Sequence, residues 1–452
     1  MKKINWSKRS QNPKDLLCVG ERVAYACSNT GIAFSYCLLL SFMTFYYTDV
    51  VGISAGVLGT IMLISRLFDG ITDLVAGWMV DRTRSRIGKT RPWLIIMAVP
   101  HAAACVLAFT VPEGLGEMQQ YIYIFVTYNL ANAVTYTLSN IPIWAANCLL
   151  TDNSEEHTKS GIWMQVGGTA SLFLVQYTCV SLVTKLGGDR SAWTMAIAFY
   201  SLVGAALMIV SGVFIRERVV TSPEEVHIPL AKRLSAIFHN KYWVLFTLTW
   251  LISGMQLAMI DSGCVYYASY ELNDIDKYST LASVQSLIQL FFLIVGMTWL
   301  IKKLGNVKVV VLSYLLIIIG SVIQIFTGNW VLILVCNAMK GAGVACSVGA
   351  QGAMMADACN YGSRRAGFDT SGIGNAGINF GSKVGVGLAS LVTGWTLALF
   401  QYDGTAAVQT AKALIGVNSV YLYIPIFLGI IGILLMVPYD LYRKIEKGEI
   451  EL

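Results

Sequence analysis

The stretch that decides the fold runs from Phe45 to Leu94: FYYTDVVGISAGVLGTIMLISRLFDGITDLVAGWMVDRTRSRIGKTRPWL. Its middle, residues 53–80, is an apolar run long enough to cross a bilayer as a helix, which takes about 20 residues. Set into that run are Arg66, Asp69 and Asp73, and a basic turn carrying Arg82, Arg84, Arg86, Lys89 and Arg91 follows it. A charge at the bilayer centre costs roughly 2.5–3.5 kcal/mol on insertion scales, so a retained one marks a functional site. Asp69 and Asp73 are spaced i, i+4, which puts both carboxylates on one helix face about 6 Å apart along the axis. Two such carboxylates repel unless a cation or a proton lies between them. Arg66, three residues before Asp69, is an alternative neutralising partner within the helix, but it accounts for only one of the two acids.

The same pattern recurs in both directions from this stretch. The chain of 452 residues is 56% hydrophobic and only 13% charged, against about 25% charged in an average soluble protein, which excludes a water-soluble enzyme. Apolar runs bounded by charge or turn signals predict twelve spans, near residues 22–47, 53–80, 93–111, 121–150, 161–186, 193–215, 242–270, 278–301, 307–327, 330–356, 369–400 and 419–441. They are expected to be helices, because lipid offers no partner for backbone polar groups and the runs lack the alternation of barrel strands. The predicted fold class is an all-α polytopic membrane protein. Cys27, Cys37, Cys105, Cys148, Cys179, Cys264, Cys336 and Cys346 sit singly in these runs and read as small membrane-helix residues rather than a disulfide framework.

Lysine and arginine near the span ends set the expected orientation. One side receives Lys2, Lys3, Lys8, Arg9, Lys14, the basic turn after span 2, Lys159, Arg216, Arg218, Lys232, Arg233, Lys241, Lys302, Lys303, Lys308, Arg364, Arg365, Arg443, Lys444 and Lys447. The other receives Lys185, Arg190, Lys277 and Lys412. Both termini are therefore expected in the cytoplasm, in the plasma membrane, and no signal peptide is expected to be removed. This bias accounts for the net charge of +6, so no nucleic-acid partner is implied. A monomer in membrane lipid with a small-molecule solute as partner is expected.

The longest internal polar stretch, Arg216 to Asn240, contains Pro223, Glu224, Glu225 and Pro229. It predicts an N-terminal six-helix half over residues 1–215, a cytoplasmic middle loop over 216–241 and a C-terminal six-helix half over 242–452. A weak repeat supports the division: Gly77 in GWMVDRTRSRIGKTR and Gly296 in GMTWLIKKLGNVKVV each precede a basic turn holding a second glycine. Two related halves point to a transporter with its site between them near the midplane.

Other spans add polar groups. In span 4, Thr137 and Asn140 at i, i+3 offer neutral oxygens on one face, as a hard cation requires, and Pro142 frees a carbonyl; a proline kink with interhelical hydrogen bonds is the alternative. Trp144, one turn beyond Asn140, can stack on a substrate ring. Asp261 interrupts span 7, Lys340 enters span 10 and Lys383 lies within span 11, where a buried lysine needs a partner such as a span 2 aspartate. Gly381 and Gly385 form a GxxxG packing face. Gly372-Ile373-Gly374-Asn375-Ala376-Gly377 matches the dinucleotide pattern formally, but no strand precedes it. His101, His157, His227 and His239 form no metal-ligand spacing and no Walker sequence is present, so direct ATP coupling has no support.

At these residues the chain resembles the glycoside-pentoside-hexuronide:cation symporters, the melibiose-carrier-like branch of the major facilitator superfamily. TDVVG, the Asp69 and Asp73 pair, DRTRSRIGKTRPW, NIPIW and MADACNYG occur in family order. The resemblance implies sugar uptake coupled to protons or sodium by alternating access, with no cofactor beyond the ion. It implies that Asp69, Asp73, Thr137 and Asn140 bind the cation. It also implies that Asn140, Trp144 and Lys383 lie at the substrate, and that Asp81, Arg82 and Arg84 form a cytoplasmic gate. Asn140 falls where the melibiose carrier has an acid, which lowers the negative charge available to a bare cation and favours a proton without excluding sodium.

The chain also departs from the family. Ala33 and Gln165 stand where the family has a sugar-binding acid and arginine, and SRRAGFDTSG with Asp369 replaces its usual segment after Gly362. Gln165 and Asp261 are the expected replacement contacts. A uniporter, or a symporter of a less polar non-sugar solute, is the alternative on the same fold.

Overall fold

The computed structural model describes residues 16–151, 154–218, 230–368, 370–404, 406 and 408–446. Lys2, Lys3, Lys8, Arg9, Lys14, Pro223, Glu224, Glu225, His227, Pro229, Asp369 and Lys447 lie outside the described residues, as do the side chains of Asp81, Cys148, His157 and Arg233.

The described chain is a succession of helices. In order they are α1 (Val19–Ser41), α2 (Ala55–Arg82) and α3 (Ala98–Ala108, led in by Arg91–Ile96). Then come α4 (Glu117–Asn129, Leu130–Tyr136 and Thr137–Leu150), α5 (Ser154–Lys185) and α6 (Arg190–Phe214). The second half contributes α7 (Lys241–Tyr266), α8 (Asp276–Phe291), α9 (Asn306–Ile325), α10 (Trp330–Ala366), α11 (Ser371–Leu399) and α12 (Ile424–Met436).

Ten of the described helices are long and apolar enough to cross a membrane, and the interrupted α3 and α4 make up the predicted twelve. The break before α3, at Met97, has a cause in the sequence: Pro100 has no N–H for the carbonyl of Ile96, so the helix restarts where a proline fits its first turn. Among the described residues five π-helical turns, Tyr46–Val50, Leu130–Tyr136, Tyr267–Glu271, Phe292–Gly296 and Ser419–Tyr423, change the register of their helices.

The chain forms two compact units, Met1–Leu39 with Phe68–Glu224, and Leu40–Leu67 with Glu225–Leu452. In the first unit α1 crosses α6 where a Cβ on Gly31 would stand 2.5 Å from the Gly204 carbonyl oxygen, and one on Gly204 equally close to that of Gly31. Only glycine at both positions lets the backbones meet. Around this crossing lie Tyr25, Ile32, Leu94, Ala98, Ile143, Met164 and Met208, all buried.

The second unit uses the same device. A Cβ on Gly385 would strike the Leu251 carbonyl, and one on Gly381 would meet Thr247, so the GxxxG face of α11 packs on α7. Gly374 and Gly377, from the formal dinucleotide pattern, pack against Trp243, whose Nε1 donates to the Gly374 carbonyl at 2.9 Å. Along the opposite part of α11, Gly394 lies against the Ala55 carbonyl and Gly387 against the Cβ of Arg66. The first half of α2 thus belongs to this unit. Gly77, prominent in the sequence repeat, has none of the described residues within 4 Å of its Cβ position.

Candidate functional site

Asp69 is fully buried in α2. Thr137 Oγ1 donates to its Oδ1 at 3.4 Å and Asn132 Nδ2 to its Oδ2 at 3.1 Å. Thr137 and Asn132 are themselves buried. Asp73, one turn on, and Asn140 are half-buried. The structure brings together Asp69 and Thr137, both candidates from the sequence, and adds Asn132, which the sequence pattern did not reveal.

The reason is local. Asn132 and Thr137 are five residues apart, about 140° around a regular α-helix of 3.6 residues per turn, and would not share a face. The π turn Leu130–Tyr136 closes i→i+5 bonds and widens the turn, which carries both side chains to Asp69. Two neutral groups on one buried carboxylate, with a second carboxylate a turn away, can hold a proton on oxygen or offer oxygens to a small hard cation.

The candidate solute contacts of this unit are more open. Trp144 is 51% exposed and Gln165 is also exposed. Glycines flank the Gln165 region: a Cβ on Gly168 would strike Asn29, whose Nδ2 donates to the Met164 carbonyl at 3.0 Å. Buried His101 pairs with Thr135 Oγ1 at 3.0 Å and stands 3.8 Å from the Cys105 sulfur.

In the second unit Asp261 is buried, and Gln285 Nε2 donates to its Oδ1 at 3.3 Å. Lys383 is half-buried on α11. Lys340 is fully buried, its Nζ donating to Gln324 Oε1 at 2.9 Å and lying 3.9 Å from the centre of the Tyr421 ring. Tyr421 in turn donates to Asn337 Oδ1 at 2.8 Å. A buried cation on one neutral acceptor and a ring is a costly arrangement. Lys340→Met combined with Gln324→Leu is expected to keep or raise the melting midpoint in detergent, and Lys340→Met alone, which strands the amide, to do less well. A double variant that melts below the single one refutes this account.

In the basic turn after α2, Arg82 and Arg84 are exposed, and the Arg82 guanidinium lies over the Trp78 ring at 4.9 Å. The groups that tie the turn down are Arg91 and Glu217. Arg91 donates to the carbonyls of Gly212 and Val213 at 2.9 and 2.8 Å. Glu217 accepts from the backbone N–H of Lys89, Thr90 and Arg91 and from Thr90 Oγ1, at 2.7 to 3.2 Å. Gly88, at φ +123°, leaves room for that carboxylate.

Burial raises the Glu217 pKa, but these donations outweigh it and hold the carboxyl below its usual value. A depressed carboxyl contributes stability above its unfolded pKa of about 4.3 and loses it as the pH falls through the folded value. Glu217→Gln should therefore lower the melting midpoint at pH 7, with the gap to the parent closing below about pH 4. A gap that is the same at both pH values would remove the ionised carboxylate from the account.

The chain is 30% identical over 448 residues to an uncharacterized symporter, YnaJ, of Bacillus subtilis (strain 168), covering 97% of this chain and 95% of the relative. It is 29% identical to an isoprimeverose transporter of Lactiplantibacillus pentosus, over 96% of this chain and 91% of that one. A crystal structure of a mutant nucleoside transporter NupG superposes on it with a TM-score of 0.68 at 13% identity, over 92% of this chain and 99% of that chain. That likeness shows a shared fold. The pattern of the family described as MFS/sugar transport protein matches residues 24–443, and the chain belongs to that family.

Proposed function

We propose that the chain carries a glycoside, hexuronide or related small organic solute across the plasma membrane by alternating access, in symport with a proton or sodium ion. Both termini face the cytoplasm in this reading, and residues 1–215 and 242–452 act as the two six-helix halves. The observation that carries it is the buried Asp69 carboxylate held by Asn132 and Thr137 with Asp73 one turn away. A bilayer-centre acid so arranged has its use in binding and releasing a cation. The curated relatives support the solute class, since one is named for carrying isoprimeverose.

The solute contacts we assign are Asn140, Trp144, Gln165, Asp261 and Lys383, with Asp81, Arg82 and Arg84 as the cytoplasmic gate. Uptake into vesicles of purified protein, with and without an imposed proton or sodium gradient, tests the reading. Concentrative uptake of a glycoside under one of the two gradients is the expected result. Equilibration without accumulation under either gradient would make the protein a uniporter.

A further inference from the structure

Between α1 and α2 the chain closes a π turn, Tyr46–Val50, just past the apolar span. Its carboxylate, Asp49, is bound by three hydroxyl groups. Thr48 Oγ1 donates at 2.5 Å, Tyr402 OH at 2.5 Å, and Tyr270 OH more closely still. Tyr266 OH pairs with Thr48 Oγ1 at 2.8 Å. The rings of Tyr266 and Tyr270 each meet Tyr402 edge-on at 5.5 Å. A Cβ on Gly404 would strike the Thr48 carbonyl, so backbone meets backbone here as well.

The partners come from far along the chain: Tyr270 from the π turn Tyr267–Glu271 that ends α7, and Tyr402 from the segment after α11. The two π turns are counterparts in the sequence, since Tyr46-Tyr47-Thr48-Asp49 ends the first helix of one half and Tyr266-Tyr267-Ala268-Ser269-Tyr270 the first helix of the other. Thus the contact joins equivalent ends of the internal repeat.

We propose that Asp49, Tyr270 and Tyr402 form a latch that fastens the α1–α2 turn to the ends of α7 and α11, and that proton uptake by Asp49 tightens it. The proposal rests on the transport cycle above, in which this end must part for solute to enter from outside. The proton binds a carboxylate oxygen, and the phenols remain donors to the other oxygen.

Geometry gives the sign. Closed, the half-buried carboxylate lies among rings and three hydroxyls; open, it meets water. Burial, opposed by hydrogen bonds from Thr48, Tyr270 and Tyr402, raises its pKa to about 6. The phenol of Tyr402 is pushed upward by burial and by Asp49, so it stays protonated as a donor. Of the ionisable groups nearby, Tyr266 acts on Tyr402, Asp403 on Tyr270 and Glu271 on Tyr267. Glu271 accepts from Asn418 Nδ2 at 3.0 Å, and further along Lys277 pairs with Asp274 at 3.8 Å. A pKa near 6 when closed and about 3.9 in water raises the closed-to-open ratio about tenfold between pH 8 and pH 5.

The test is a spin-label distance across the latch in the full chain, with native cysteines replaced and cysteines introduced at the exposed Ser54 and Val408. Measurements are made at pH 5 and pH 8 without solute or sodium. The short distance is expected to gain about tenfold in relative population at pH 5. Asp49→Asn should hold it at both pH values, and Tyr270→Phe with Tyr402→Phe should deplete it at both. Asp73→Asn, which removes an acid of the ion site, should keep the parent's pH response even if the symport reading fails. A parent that does not respond to pH, or an Asp49→Asn variant that responds as the parent does, overturns the latch. A response lost in Asp73→Asn but kept in Asp49→Asn overturns it too, by placing the proton at the ion site.

Discussion

Asp69→Asn is expected to abolish gradient-driven accumulation while leaving expression and membrane insertion intact. The substitution keeps size and removes charge: Asn132 can still donate to the one remaining oxygen and the Thr137 hydroxyl can turn to accept from the new amide, but no proton or cation can be held and released. One coupled charge at 100 mV is worth about 2.3 kcal/mol, or about a 50-fold concentration ratio. That ratio should fall to about one in the variant, with counterflow of solute retained. Asp73→Asn should behave in the same way if the two acids share the ion. Normal accumulation in vesicles by either variant would remove that residue from the coupling site.

The second large effect is structural. Gly204→Val should lower the melting midpoint steeply and cut the yield of folded protein, because the new side chain meets the carbonyl oxygen of Gly31 at 2.5 Å. That atom belongs to a helix backbone and has no rotamer to move to. Overpacking costs typically about 1–3 kcal/mol where side chains can shift, and more where they cannot. Gly77→Ala is the control, since a Cβ there meets nothing within 4 Å and alanine favours the helix. A Gly204→Val protein that melts with the parent would show that α1 and α6 do not cross as closely as described.

Several features that decide the site were open to the sequence and others were closed to it. Asp69 and Asp73 stood out because a charge inside an apolar run has few uses except function. Thr137 followed from its spacing to Asn140 on a helix face. Asn132 was invisible because its position facing Asp69 depends on a π turn, and nothing in LANAVTY distinguishes five-residue from four-residue closure. Gly77 drew notice by its place in a repeat yet none of the described residues comes within 4 Å of its Cβ position, whereas Gly31 and Gly204, unremarked, make the helix crossing. Arg82 and Arg84 were prominent as charge, but Arg91 and Glu217 hold the turn.

The sequence by itself determined the membrane class, the twelve helices and the buried acids. Lipid leaves the backbone no partner outside the helix, so about 20 apolar residues in a row admit one structure. Tertiary structure alone decided which polar group meets which: Asn132 on Asp69, Tyr402 and Tyr270 on Asp49, Gln324 on Lys340. Between helices in lipid no hydrophobic force selects the partner face. Selection falls to close backbone approach at glycines and to hydrogen bonds between residues distant in the chain, neither of which a linear pattern contains.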